Sequence, residues 1–194
     1  SDNKKYTGTN WGTANSADVI GDLVTLIKAG KAMGLNPKFA FVNLDTFYKI
    51  ASAEQIIKAC ASFASNALNI AQTPDLAQVN QMLARQAWLN GVQFRVIDQS
   101  ITRELQDGTQ SSANPFATDR LILAEKEVLG TTQYDVLNES SPLILKAQRS
   151  HITVKKYGTI EPKAEITIGE ADALPVLDTA YRKIYVKTDG NAWS

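Results

Sequence analysis

The chain has 194 residues, 44% hydrophobic and 21% charged, with 20 Lys plus Arg against 20 Asp plus Glu. A chain of that length buries roughly 70% of its unfolded surface, so it needs no disulfide or metal staples, and the composition excludes intrinsic disorder. Zero formal net charge argues against a dedicated nucleic-acid binder, whose affinity rests on a surplus of cations against phosphate.

Residues 1–15 are polar and read as a loose lead-in. Residues 15–34 read as a helix, with Asn15 as N-cap, Asp18 at the third helical position, and Ile20, Leu23, Val24 and Ile27 at helical spacing. Gly34 and Asn36-Pro37 stop it. Gly21 and Gly30 each cost about 1 kcal/mol relative to Ala inside a helix, a loss that a closely packed neighbour would offset. Residues 38–42 form a short apolar run, the signal of a buried strand. Asn43 then caps a helix over 44–51. A further helix is expected over 53–68, with Ile56, Cys60, Phe63 and Ala67 on one face. Another opens at Thr73 as N-cap with Pro74 at its first position, turns Leu76, Val79, Met82 and Leu83 inward, and ends at Asn90-Gly91.

From there the pattern turns to strands. Residues 92–97 alternate, residues 100–106 form a second candidate, and Asp107-Gly108 makes a hairpin turn. Residues 111–115 read as loop, 120–124 as an apolar strand, and 130–142 as polar and irregular. Strands are expected again over 150–157, 163–168 and 181–187. No internal repeat or low-complexity tract is present.

Residues able to do chemistry are few. His151 is the only histidine and Cys60 the only cysteine, so a zinc site of the usual nitrogen and sulfur ligands is excluded. His151 has no acidic or thiol neighbour at ligand spacing and reads as structural. Cys60 lies on an apolar stripe and reads as a small buried hydrophobe, and one cysteine cannot close an intrachain disulfide, which fits a reducing compartment. No nucleophile elbow, P-loop or dinucleotide fingerprint occurs. Asp98, Glu104 and Asp107 are not spaced as a calcium loop. Asn138-Glu139-Ser140 matches a glycosylation sequon, meaningful only in a secreted protein. Lys146, Arg149, Lys155 and Lys156 form a mild basic stretch, read as a solvated strand face. Trp11, Trp88 and Trp193 are too scattered for a base-stacking platform. No apolar run approaches about 18 residues and residues 1–10 lack a signal-peptide core, so the expectation is a soluble protein made in a cytoplasm. The chain lacks an initiator Met, so its start is expected to be a processing scar or a boundary within a longer chain.

The order of segments carries more than any single residue. A lead-in with Trp11 precedes the helix at 16–33. "NPKFAFVNLDTFYKI" over 36–50 follows, then "NGVQFRVIDQSI" over 90–101, "ATDRLILAEKEVLGTTQYD" over 117–135, "HITVKKYGTIEPKAEITI" over 151–168, and "RKIYVKT". This series resembles the major capsid proteins of tailed phages of the Hong Kong 97 type, whose fold encapsulin shells share; the resemblance spans about residues 11 to 188.

The resemblance implies an α+β fold: a long spine helix, a central α/β axial domain and a β-rich peripheral domain. Residues 1–37 with 136–194 would be the peripheral-like part (spine helix 16–33 plus the late strands), and 38–135 the axial-like part. It implies a non-enzymatic, self-assembling capsid subunit of a tailed bacteriophage or prophage, with no cofactor and no metal. Its partners would be copies of itself in an icosahedral shell, with scaffold, portal and non-specifically packaged DNA as further contacts, and no membrane. Its place would be the virion, assembled in the host bacterial cytoplasm. The loop bearing Asp107, Gly108, Gln110 and Asn114 is the candidate axis-facing assembly surface. The family carries an N-terminal arm and an extended loop ahead of the spine helix; residues 1–15 alone precede it here, which implies a fragment. Two other readings stand beside this one, an encapsulin-like compartment shell and an α/β enzyme using carboxylates.

Overall fold

The computed structural model describes residues 4–7, 10–13, 16–63, 73–135, 144–148, 151–159, 164–178 and 183–191. Contacts divide the chain into two units, Ser1–Glu127 with Ala180–Ser194, and Val128–Thr179.

The first unit is built on a mixed five-stranded sheet in the order β1-β12-β6-β2-β3. Its strands are β1 (Lys4–Thr7), β2 (Phe39–Asn43), β3 (Gln93–Ile97), β6 (Arg120–Ala124) and β12 (Lys183–Lys187). β1 runs parallel to β12 and β2 parallel to β3, while β6 is antiparallel to both β12 and β2. Period-two alternation explains the sheet's inner face. The register lines up Phe94, Ala40, Leu123 and Ile184 in one cross-strand row, and Val42, Leu121 and Val186 in the next. All seven are buried in the core cluster.

The helices α1 (Val19–Ala32), α2 (Leu44–Ser52), α3 (Glu54–Phe63) and α4 (Leu76–Arg85) cover that core. A parallel β2–β3 pair needs a crossover, and α2, α3 and α4 with a 3₁₀ turn at Ala87–Leu89 provide it. Each helix turns an apolar stripe to the core: Leu23, Leu26 and Ile27 of α1; Phe47 and Ile50 of α2; Ile56 of α3; Val79, Met82 and Leu83 of α4. Trp11 joins them, fully buried, its indole N–H donating to the Asp22 carboxylate at 2.8 Å. Its backbone N–H donates to the Thr188 carbonyl at 2.9 Å.

Several expected boundaries move. α1 begins at Val19 because Asp18, not Asn15, is its N-cap; the Asp18 side chain accepts from the Gly21 N–H. Asn15 lies outside the described residues. The Ile20 N–H is satisfied by Gln55 of α3, whose side chain also donates to Asp18. α4 begins two residues later than Thr73 implies. Asp75 caps it in a reciprocal box with Gln78, at 2.7 and 3.0 Å, and a carboxylate with a partner three residues on outcompetes the earlier Thr. α4 stops at Arg85, and Asn90 then takes a left-handed conformation at φ 57°. The expected end of the helix before it, residues 64–68, lies outside the described residues.

The second unit is all β among its described residues. β7 (Gly130–Asp135) pairs antiparallel with β11 (Asp172–Leu177), and β8 (Ile144–Gln148), β9 (Thr153–Thr159) and β10 (Ala164–Glu170) form a sheet in the order β10-β9-β8. The polar stretch 130–142, expected to be irregular, is therefore a strand over 130–135; residues 136–142, which include the sequon, lie outside the described residues. The remaining strands, β4 (Ile101–Glu104) and β5 (Gln110–Ala113), make a hairpin in the first unit. β5 falls where a loop was expected over 111–115. Gln-Ser-Ser-Ala has no apolar alternation to announce it, and its pairing is by main chain.

α1 shares its core with β2, β6 and β12, because its apolar stripe needs cover and those strands present the matching face.

Candidate self-assembly surfaces

The β4–β5 hairpin is exposed along its whole length, residues 101–113. Its register pairs Ile101 with Ala113, Thr102 with Ser112, Arg103 with Ser111 and Glu104 with Gln110. The turn is closed by Leu105 N–H to the Thr109 carbonyl at 2.8 Å and Gly108 N–H to the Leu105 carbonyl at 2.9 Å. Gly108 sits at φ +80°, a conformation L side chains rarely adopt. Asp107 accepts from the Thr109 hydroxyl at 2.6 Å and from the Thr109 N–H at 3.0 Å. Those bonds, the hydroxyl's first, hold the Asp107 carboxyl below the ordinary aspartate range. Asp107, Gly108 and Gln110 thus stand together at the tip. Asn114 lies at the foot, accepting from the Phe116 N–H at 2.9 Å. A hydroxyl cluster of Ser100, Thr102 and Ser112 stiffens the strands.

The second unit offers a different surface. Val128, Tyr134, Ile152, Val154, Ile166, Ile168, Leu174 and Leu177 are all exposed, and β7, β9, β10 and β11 bury no hydrophobic side chain. The alternation of β9 and β10 was legible in the sequence, whereas β7 and β11 were not expected as strands. That their apolar residues lie open was not legible, because a period of two reports a strand and not what covers it. Lys155, expected on a solvated face, is only 1% exposed and donates to Glu170 at 2.6 Å. Lys156 pairs with Glu165 at 2.7 Å; hydrogen bonding to Lys156 and attraction by its charge hold the Glu165 carboxyl low. The expected basic stretch is therefore interrupted by pairing, and Arg149 lies outside the described residues.

The groups that could do chemistry are held apart. Burial, and then the charge of Asp75, push the Cys60 thiol up from its ordinary value, which keeps it the protonated, weakly nucleophilic form. His151 is exposed and stacks on Tyr134 at 4.9 Å and 20° between planes. Asp135 and Asp172 face one another in the β7–β11 register, yet both are exposed, with no low-dielectric pocket to make one an acid and one a base. An open depression in the second unit is lined by Val128, Gly130, Thr131, Val176, Leu177 and Asp178, with one carboxylate. Among the described residues no three His, Cys, Asp or Glu side chains gather to hold a metal ion.

The chain's fold, a helix-covered mixed sheet with an exposed hairpin together with a β-only unit, is found in phage-related proteins. A prophage protein of Escherichia coli CFT073, whose name gives it as a "putative capsid protein", has it with a TM-score of 0.59 at 14% identity, over 94% of this chain and 52% of that one. A phage-related protein of Bordetella bronchiseptica RB50 has it with a TM-score of 0.54 at 13% identity, over 97% of this chain and 58% of that one. The chain spans about half the length of these solved structures. No protein-family model and no curated protein matches it.

Proposed function

We propose that this chain is the axial and peripheral part of a major capsid subunit of a tailed phage or prophage, a structural protein whose activity is to assemble with copies of itself. The observation that carries the reading is that β7, β9, β10 and β11 bury no hydrophobic side chain, while they and the residues beside them expose eight large ones. Two- and three-stranded sheets of this kind are marginal alone, and contiguous apolar surface marks an interface. Neighbouring subunits in a shell would cover it. The capsid-like fold supports the same conclusion.

In this reading the helix-covered sheet with its β4–β5 hairpin is the axial-type lobe. Asp107, Gly108, Gln110 and Asn114 meet their counterparts around a symmetry axis, and the β-only unit works at the periphery. Contacts that close by rotation make rings, and rings tile a container. Scaffold, portal and packaged DNA are further partners, the DNA held non-specifically, and the mature location is the virion. Electron microscopy of the full-length parent protein tests the reading. Closed shells are expected, and a folded parent that remains monomeric across assembly conditions overturns it. Asp107→Lys with Gln110→Lys should block shells and leave the circular-dichroism spectrum unchanged.

A further inference from the structure

We infer that β10 is a two-fold contact strand, and that the partner it takes is β10 of a second copy of this chain, paired antiparallel about Thr167. The inference refines the assembly reading above and names one contact in it.

The strand is seven residues long, Ala-Glu-Ile-Thr-Ile-Gly-Glu over 164–170. It pairs with β9 on one side, and among the described residues no strand lies against its other edge. Residues 164–169 are exposed. Free edges are ordinarily guarded by charged side chains, above all lysine, by proline or by a bulge; β10 has no lysine, proline or bulge, and its two charged residues, Glu165 and Glu170, are paired with Lys156 and Lys155 of the same copy. The irregularity of its sheet lies between β8 and β9, and the proline of this unit's ribbon, Pro175, is on β11.

The sequence of the strand is complementary to itself. An antiparallel pair centred on Thr167 sets Thr167 opposite Thr167, Ile166 opposite Ile168, Glu165 opposite Gly169 and Ala164 opposite Glu170. Directly opposite residues share a face, so four isoleucines, 45% and 39% exposed at 166 and 168 in one copy, close on one another. Moving the centre to Ile166 sets Ile168 against Ala164, and moving it to Ile168 sets Ile166 against Glu170. Only the Thr167 centre matches both isoleucines and uses all seven residues.

Charge does not oppose the contact. Both acids of the strand are already engaged within one copy, Glu165 by Lys156 at 2.7 Å and Glu170 by Lys155 at 2.6 Å. Across the proposed pair each faces a small neutral residue, Gly169 or Ala164. The result is an isologous interface that joins two three-stranded sheets into one of six and gives apolar cover to Ile166 and Ile168.

The experiment is disulfide trapping in the 194-residue chain carrying Cys60→Ser. Opposed residues of an antiparallel pair have Cα atoms about 4.5–5.5 Å apart, within disulfide reach. Thr167→Cys should cross-link to a covalent dimer under mild oxidation. Glu165→Cys, on the same face of the strand, should not, because its symmetry mate lies roughly 14 Å along the pair at 3.4 Å per residue. Ile166→Lys with Ile168→Lys, both exposed positions, should abolish the dimer in sedimentation while the fold is retained. Equal cross-linking at 167 and 165, or a chain that stays monomeric at high concentration, overturns the contact. In the full-length parent, β10 amides protected from exchange without Thr167→Cys cross-linking would give the edge to another segment and also overturn it. Shells seen by electron microscopy alongside failed trapping would sink this contact and leave the capsid reading standing. A parent that forms no shells would sink that reading instead.

Discussion

Gly21 and Gly30 interrupt α1, and each stands where a methyl group would collide. A Cβ at Gly21 would overlap the Asp18 carboxylate that caps the helix, and one at Gly30 would sit tightly, 3.1 Å from Pro37 and 3.3 Å from Ile184. Gly21→Ala is therefore expected to return none of the roughly 1 kcal/mol of helix propensity, because it displaces a cap of similar worth. Gly30→Val should destabilise by about 1–3 kcal/mol through overpacking; urea denaturation measures both. Asn43 serves two elements at once, capping α2 at Asp45 N–H and donating to the Phe116 carbonyl at 2.8 Å. Asn43→Ala should cost about 1–2 kcal/mol. Asp107 and Glu165 have depressed folded-state carboxyl values, so whatever they contribute is present above the unfolded pKa and lost as pH falls through the lower folded one. Carboxyl NMR titration should find both below the ordinary range, and Thr109→Val should move Asp107 upward.

Free strand edges are treated in two ways in this molecule. β3 is an edge of the five-stranded sheet, and Asn80 of α4 occupies it like an added strand residue. Its carboxamide accepts from the Phe94 N–H at 2.7 Å and donates to the Phe94 carbonyl at 3.2 Å. Asn80→Ala should cost about 1–3 kcal/mol by leaving both groups without that partner. Asn80→Asp, which keeps the acceptor but sets a carboxylate against a carbonyl, should lose more as pH rises through its titration; stability measured at pH 4 and pH 7 checks it. β10 has no such guard. Elements with a chemical signature were legible from sequence: the Asn43 cap, the β2 apolar run, the Asp107-Gly108 turn. β5 and β7 were not, because Gln-Ser-Ser-Ala and Gly-Thr-Thr-Gln-Tyr-Asp carry no apolar alternation and form strands through main-chain pairing, β5 with its hairpin neighbour β4 and β7 with the distant β11.

At the scale of the whole molecule, the second unit leaves the first after Glu127 and returns to it at Ala180, and its strands β7, β9, β10 and β11 bury no hydrophobic side chain. Amides of β7, β9, β10 and β11 should therefore exchange faster than those of β2, β6 and β12 in dilute solution, and slow on assembly; hydrogen-exchange mass spectrometry reads the difference. Inside this unit the buried Lys155 depends on Glu170. Glu170→Ala should cost about 1–3 kcal/mol, whereas Lys155→Met should be neutral or stabilising, because removing a buried charge also removes its desolvation penalty.

The order of the chain's helices α1 to α4, the strands β2, β3, β6, β9, β10 and β12, the α+β class and the Asn43 cap were determined by local chemistry: periodicity, side-chain hydrogen bonding to nearby N–H groups, and composition. Which element shares a core with which was decided only in three dimensions. β12 joins β6 and β1 across most of the chain's length, α1 finds its cover on that sheet, and the isoleucines of β10 stay open. A period of two or of 3.6 tells which side of an element is apolar, but what meets that side depends on partners far away in sequence.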